Sequence, residues 1–529
     1  MKAKRLCQTI PLQTERLKEL LERLKEQLQP QDYELIRSLA QTLEAILAFI
    51  VQTRMSIGRL RRLLFGAKTE KPNKNGKKNP PKSNKAGEPK NHGRNGTDKF
   101  PGARKVEVPH PTLKEGDVCQ ECDRGKLSLK EPVRLLHFIG QPLFVATIYL
   151  LERLRCNLCG AVFTAPAPPE AGLQKYDPTV GAMIGISRYQ AGLPFNRVAQ
   201  LQQSFGMPLA ASTQWQIAKA SAEELKPVYK QLIQEAAQAR LVHNDDTHMK
   251  VLSLSQDIAK EQAESNSDSP QKPKRTGLFT SSVISVDQDH QIALFKTGRE
   301  HAGENLEKVL EHRASELPPP IQMCDALISN YPKNFVTIIA NCIPHGRRGF
   351  VDVFDSFPEP CRRVLDDLAQ VFKFEAETKG MSVEQRLAYH QANSQPVMDQ
   401  LHQWLQDQFD QKLVEPNSGL GQAIKYMLKH WQPLTLFLRH PGAPLSNNIC
   451  ERALKMAIRH RKNSLFYKTK EGAEVGDIFM SLIHTCQLNQ VDPFQYLTAL
   501  LSHPQQLAAA PAQWLPWSFR QTLQPSDTG

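Results

Sequence analysis

The sequence predicts a multidomain α+β protein: an N-terminal coiled coil, a zinc ribbon, helix-turn-helix-like helices, and an α/β core split by a helical insertion. Three observations carry that expectation. Apolar residues recur at every seventh position between residues 36 and 64, two Cys-x-x-Cys pairs bracket a β-rich stretch, and strand-like runs alternate with a helix between residues 239 and 350. A chain of 529 residues is also too long for one hydrophobic core.

Residues 1–66 read as helix. Leu17, Leu20, Leu21, Leu24 and Leu28 form one apolar stripe, which Pro30 interrupts. Ile36, Leu43, Ile50, Ile57 and Leu64 then share one heptad position, and Leu39, Ile46 and Leu60 the complementary one, with Thr53 as the polar break. About four such heptads predict a coiled coil that pairs protomers into a homodimer or higher oligomer. The same stripe also suits a helix packed on its own protein.

Residues 67–100 are a basic, flexible linker rich in Pro, Gly, Asn and Lys, unable to bury a core. The formal charge is +13 and the isoelectric point about 9.2, which points to a polyanionic partner. Between Lys68 and Lys105, however, 12 Lys and Arg face 3 Asp and Glu, so most of the excess is concentrated there. The linker reads either as a cationic arm for DNA phosphates or as a solvated tether. The longest apolar run, Ala45 to Val51, is far short of the roughly 20 residues of a membrane span. With no apolar signal core at the N-terminus, a cytoplasmic protein is expected.

Residues 101–172 turn to β patterning. Cys119, Cys122, Cys156 and Cys159 form two Cys-x-x-Cys pairs separated by 33 residues. Two thiolate knuckles suit a closed tetrahedral site, so structural Zn²⁺ stapling a small zinc-ribbon-like domain is expected. The other six cysteines are scattered, as befits a reducing compartment. Strands are expected in residues 133–140, 142–156 and 161–166. Residues 173–238 read as three helices with Gly206 at the second turn, a helix-turn-helix-like arrangement.

Residues 239–350 give strand, polar insertion (253–275), strand, strand, helix, strand, the beginning of an RNase H-like catalytic core. Asp245 and Asp325 are expected at the ends of the first and fourth strands. Residues 351–445 form a helical insertion, 446–502 a C-terminal helical region, and 503–529 a tail. Glu451 falls in the first turn of a basic helix, where Asn448-x-x-Glu451 also fits a capping-box variant. Each acid alone has an ordinary explanation as a turn or cap. Together, three carboxylates can hold two divalent metal ions against a phosphodiester. Arg452, Lys455, Arg459 and Lys462 recur at helical spacing after Glu451, with Arg461 beside them, and suit contact with a DNA backbone. His345, Arg347 and Arg348 in "PHGRRGF" are further phosphate-contact candidates.

These residues resemble the insertion-sequence-66 family of DDE transposases over nearly the whole chain. "LRRLLFGAKTEK" resembles the end of that family's zipper region, the Cys pairs its zinc-finger-like domain, and "YQAGLPFNRVAQLQQSFGMPLAASTQW" its helix-turn-helix. The run from "NNICERALKMAIRHRKNSLF" to "YLTALL" is the most specific. The resemblance implies that Asp245, Asp325 and Glu451 are the catalytic triad and the ligands of two Mg²⁺ ions, with Mn²⁺ as a substitute. Tyr331 matches an aromatic that follows the second Asp. It further implies a nucleoid-associated mobile-element enzyme that binds inverted-repeat ends and target DNA, encoded beside small accessory proteins. Asp246 departs from the family's usual Glu. "AIRHRKNSLF" likewise departs from the usual Gly before Arg-Lys-Asn and Trp after it. Two alternatives stay open: a decayed or repurposed, non-enzymatic zinc-ribbon DNA-binding protein, and a nuclease that only hydrolyses.

Overall fold

The computed structural model describes residues 143–155, 162–172, 174–265, 275–287 and 289–523, with short stretches between 23 and 41 and between 111 and 127. The heptads beyond residue 41, the linker and all four Cys of the paired motifs lie outside the described residues. The chain divides into two units, Met1–His137 and Phe138–Gly529. In the first, the described residues of 23–41 are helical except Gln29, whose carbonyl accepts from Asp32 and Tyr33 N–H (3.0 Å each) beside Pro30. Further on, Gly116 N–H donates to Leu127 O (2.9 Å) and Leu127 N–H to Asp117 O (2.8 Å).

In the second unit, β1 (Arg153–Arg155) pairs antiparallel with β2 (Val162–Thr164). Of the strand expected over residues 142–156, the described residues form one only at Arg153–Arg155, and the strand expected over 133–140 lies outside the described residues. Residues 145–151 are irregular, and Val145, Ile148 and Leu150 are exposed despite strong β propensity. Propensity alone does not form a strand. Helix α1 (Pro178–Gly185) starts under an Asp177 cap and runs into a short π-helix, Ile186–Gln190. Helix α2 (Phe195–Ser204) ends at Gly206, whose φ of 72° makes the turn that the sequence anticipates. Helix α3 (Ala211–Ala237) buries Ala218, Ala222, Leu225, Val228 and Leu232 at helical spacing, so most of its length packs into the core.

A five-stranded sheet in the order β5-β4-β3-β6-β7 organises the rest. It comprises β3 (Leu241–His248), β4 (Phe279–Val286), β5 (Gln291–Gly298), β6 (Ile321–Cys324) and β7 (Ile338–Asn341). The first three form an antiparallel meander, and β3, β6 and β7 run parallel. Between β3 and β4, the expected polar insertion is in part helix α4 (Leu252–Ser265). Helix α5 (Ala302–Leu310) links β5 to β6. After β7 come α6 (Ile343–Asp352), α7 (Pro358–Glu377), α8 (Val383–Asp410) and α9 (Gly419–Lys429). Helices α10 (Asn448–Ser464), α11 (Lys470–Leu488) and α12 (Pro493–Ser502) follow.

The outer edge of β5 is covered by α11 through side chains rather than a strand. Asp477, Ser481, Thr485 and Asn489 recur every fourth residue. They accept from the N–H groups of Thr297 (2.7 Å), Phe295 (2.9 Å), Ala293 (3.0 Å) and Gln291 (3.1 Å) in turn. Four helical residues rise about 6 Å and two strand residues about 6.8 Å, so the two periods stay in step along the edge. An edge that would otherwise offer free donors is thereby closed. One apolar core gathers α1, α3, α11 and α12 against β3–β5, and a second gathers β6, β7 and α6–α9.

Candidate functional site: an acidic centre between two cores

Asp245 does not end its strand as expected. β3 continues to His248, and Asp245 pairs with Ser282 of β4. Its other neighbour explains the site. β3 runs parallel to β6 only over Leu241–His243 against Ile321–Met323, and continuing that register by two residues brings Asp245 level with Asp325. Asp325 follows the last residue of β6 and is held by Leu327 N–H (3.2 Å) and by Asn330 Nδ2.

Side-chain alternation along β3 sorts its residues onto two faces. His243, Asp245 and Thr247 face α10, which crosses them. His243 contacts Asn447 Oδ1 (3.0 Å) and Thr247 Oγ1 accepts from Arg461 Nη1 (3.1 Å). Between those two contacts lies Glu451. Asn447 Nδ2 donates to Asn244 O (3.1 Å), which fixes its amide, so His243 Nδ1 is the donor to Oδ1. Burial holds the His243 imidazole down at about 4, hence neutral. Cys450 Sγ, donating to Ser282 O (3.4 Å), fixes the helix over β4.

The capping-box reading of Glu451 is corrected by this geometry. The N-cap is Asn447, its side chain is committed to β3, and Glu451 N–H makes an ordinary helical bond to Asn447 O (3.1 Å). Glu451 is therefore not needed to start the helix, and its carboxylate is available to the site.

Asp245 feels the charges of the other two acids. Burial, then the charge of Asp325, with smaller contributions from Asp246 and Glu451, pushes the Asp245 carboxyl up to about 7, against the N–H of Asp246 (2.8 Å), which opposes the shift. Like charges crowded in a partly desolvated site favour a cation among them. Among the described residues, the ligand-type atoms that do come within 4.8 Å of one another belong to Cys342, His345 and Glu451, one donor from each. His345 Nδ1 is 3.8 Å from Glu451 Oε1 and is otherwise without a hydrogen-bond partner. Burial raises the Cys342 thiol to about 12, and its sulfur accepts from Asn447 N–H (3.2 Å).

Asp246 faces the opposite side of β3. It accepts from His301 Nδ1 (2.9 Å) and from Ala302 N–H (3.4 Å) at the start of α5. Its neighbour on that face, Asn244, bonds Asn330 O (2.7 Å) and Gln322 Nε2 (2.9 Å). Asp246 thus ties β3 to α5, and α5 in turn supports the Asp325 loop. A Cβ on Gly303 would lie 2.4 Å from Tyr331 O, so the helix approaches that loop as closely as only Gly permits. Tyr331 OH accepts from Asn341 Nδ2 (3.2 Å).

Arg452, Lys455, Arg459 and Lys462 are exposed on α10, and Arg348 is exposed on α6. Arg459 donates to Gln190 O, and Arg461 is half-buried against Thr247 and the His248 carbonyl. Arg347 is half-buried, and His345 turns toward Glu451. Reading the sequence missed His243, Asn330, Cys342 and Asn447, which position the acids. The paired Asn before "ICER" was the one available signal.

Residues 174–475 match the family described as Transposase IS66 family, a span that includes all three acids. The uncharacterized protein y4jD of Sinorhizobium fredii is 30% identical over 362 residues, 66% of this chain and 67% of that one. The uncharacterized protein y4hP of the same organism is 26% identical over 393 residues, 70% and 67% of the two chains.

Proposed function

This chain belongs to the IS66 transposase family, and on that premise we propose that it binds the ends of a bacterial insertion sequence and cuts and joins DNA through Asp245, Asp325 and Glu451. The family makes DNA the partner and divalent metal the requirement. What supports the finer reading is placement: the β3–β6 register brings Asp245 level with Asp325, and α10, which carries Glu451, crosses Asp245 between its contacts to His243 and Thr247. The sheet order, a three-strand antiparallel meander followed by two parallel strands, supports an RNase H-like core.

The donor set fits hard cations: Asp245, Asp325 and Glu451 would hold Mg²⁺ or Mn²⁺ through oxygen ligands. When bound, such ions stabilise the charge that develops on the phosphodiester during in-line displacement. The protein's part is to hold the carboxylates and the DNA. Asn330 and Leu327 N–H orient Asp325, Asn447 anchors the helix that carries Glu451, and the exposed cations of α10 meet backbone phosphates. Water displaces the 3′ oxygen of a DNA end at phosphorus, leaving a free 3′ hydroxyl. That hydroxyl then attacks a target phosphodiester, one P–O bond forming as another breaks. The paired Cys motifs would hold structural Zn²⁺, and the heptads would pair protomers.

The test is a joining assay with full-length protein, Mg²⁺, a labelled duplex bearing the terminal repeats that flank the gene, and a target plasmid. Wild type joins the labelled 3′ end, whereas Asp325→Asn binds the duplex and joins nothing. Joining by Asp325→Asn would refute the assignment, and cutting without joining by wild type would reduce the protein to a hydrolytic nuclease.

A further inference from the structure

A second concave site lies at the far end of α10. There a cavity of about 580 Å³ opens, within the usual size range of small-ligand pockets. Helix α10 stops at Ser464 because Leu465 adopts a left-handed backbone, φ 67°, a conformation disfavoured for an apolar side chain. That turn leaves Leu465 66% and Phe466 37% exposed at the cavity wall. Exposing two apolar side chains through an unfavourable backbone needs a reason, and a ligand supplies one.

The walls are aromatic and rigid. Tyr467 is pinned by its N–H to Lys250 O (2.9 Å) and its carbonyl to Leu252 N–H (2.9 Å), and its ring stacks on His460 at 4.1 Å and 14°. Phe195 and Trp215 come from the first turns of α2 and α3. The Arg188 guanidinium lies 4.7 Å over the Phe195 ring and donates from Nη1 to Ser464 Oγ (2.5 Å), while its buried Nε has no partner. Arg197 and Lys468 are exposed in the lining. The acid of the lining, Glu471, is engaged by Lys219 at 2.7 Å. Flat aromatic walls, cationic side chains and an uncommitted donor match a planar, hydrogen-bonding ring attached to phosphate, not an aliphatic or cationic ligand.

Resting on the function proposed above, we infer that this cavity receives one nucleobase unstacked from the DNA that the acidic centre acts on, between Phe466 and the Phe195–Trp215 wall. From Glu451 to Ser464 is 13 residues of one helix, about 20 Å. Exposed Lys455 and Lys462 lie along that path. The base in the cavity thereby anchors a strand at a fixed distance from the scissile phosphate.

The experiment uses full-length protein without added divalent metal and two probes: a mixed-sequence single-stranded oligonucleotide with a central 2-aminopurine, and the same sequence fully paired. Fluorescence reports stacking of the probe base, and titration gives affinity. Wild type is expected to bind both and to quench the single-stranded probe. Phe466→Ala and Trp215→Ala should bind that probe about tenfold more weakly, the range for loss of one base–aromatic stack. Phe466 is exposed enough for its variant to fold, which a matching thermal melt would verify. A bound probe as bright as the free one, or unchanged quenching and affinity in Phe466→Ala, overturns the inference and leaves the acidic centre untouched. Failure of wild type to bind either probe defeats the DNA-processing reading itself.

Discussion

Asp245→Asn should make the metal-free protein more stable while abolishing its chemistry. The Asp245 carboxyl titrates at about 7 in the folded chain against 3.8 when unperturbed. Between those values the folded state holds a proton that the unfolded chain has lost, so stability falls as pH rises from about 4 to about 7 and levels off above. The stability lost relative to low pH is roughly 4 kcal/mol at pH 8, where the group is ionised, and about 1.5 to 2 kcal/mol at pH 5, where the folded chain still holds the proton. An amide carries no charge and its oxygen still accepts from Asp246 N–H. The variant should therefore gain about 2 to 3 kcal/mol over wild type between pH 5 and pH 8. Chemical unfolding of both proteins at the two pH values, without added metal, measures the difference. Mg²⁺ should then stabilise wild type at pH 8, by binding only the folded state, and leave Asp245→Asn unchanged. A variant no more stable than wild type at pH 8, or a wild type that gains stability between pH 5 and pH 8 relative to the variant, would refute the reasoning.

Asp246→Asn should retain metal uptake but lose about 1 kcal/mol of stability as its charge-assisted contacts to His301 and the α5 N-terminus weaken, read by thermal unfolding. His345→Ala should lower the rate of end joining at least tenfold, with DNA affinity within a factor of about two. A salt-dependent loss of affinity with an unchanged rate would instead make His345 a phosphate contact. Gly303→Ala should cost at least about 2 kcal/mol, because its Cβ meets the Tyr331 backbone at 2.4 Å, and should slow joining by displacing the Asp325 loop. Wild-type rate and stability in that variant would show that α5 does not support the loop.

Much of the fold between residues 174 and 475 was legible in the sequence. Short runs such as "QIALFKTG" became strands over their full length because each had a neighbouring strand, and Gly206 turned where expected. What escaped depends on pairing and long-range contact. Asp245 was placed at a strand end because two acids in a row read as a turn. Both are partly buried inside β3: the His301 imidazole compensates Asp246 on one face, while Asp245, among like charges on the other, is pushed toward its protonated form. Asn448 and Glu451 fit a local capping pattern, but tertiary bonds to β3 moved the cap to Asn447. The Asp477-x-x-x-Ser481-x-x-x-Thr485-x-x-x-Asn489 ladder gains its meaning only beside the bare edge of β5. The apolar residues 145–151 show the converse, since a β-prone sequence stays irregular there.

The proposed chemistry requires Asp245, Asp325 and Glu451 to form one metal site. Titration of the full-length chain with Mn²⁺, followed by electron paramagnetic resonance, tests this directly in wild type, Asp245→Asn, Asp325→Asn and Glu451→Gln. Saturable uptake by wild type that each single substitution weakens at least tenfold is the predicted result. Equal uptake in all four proteins would contradict it.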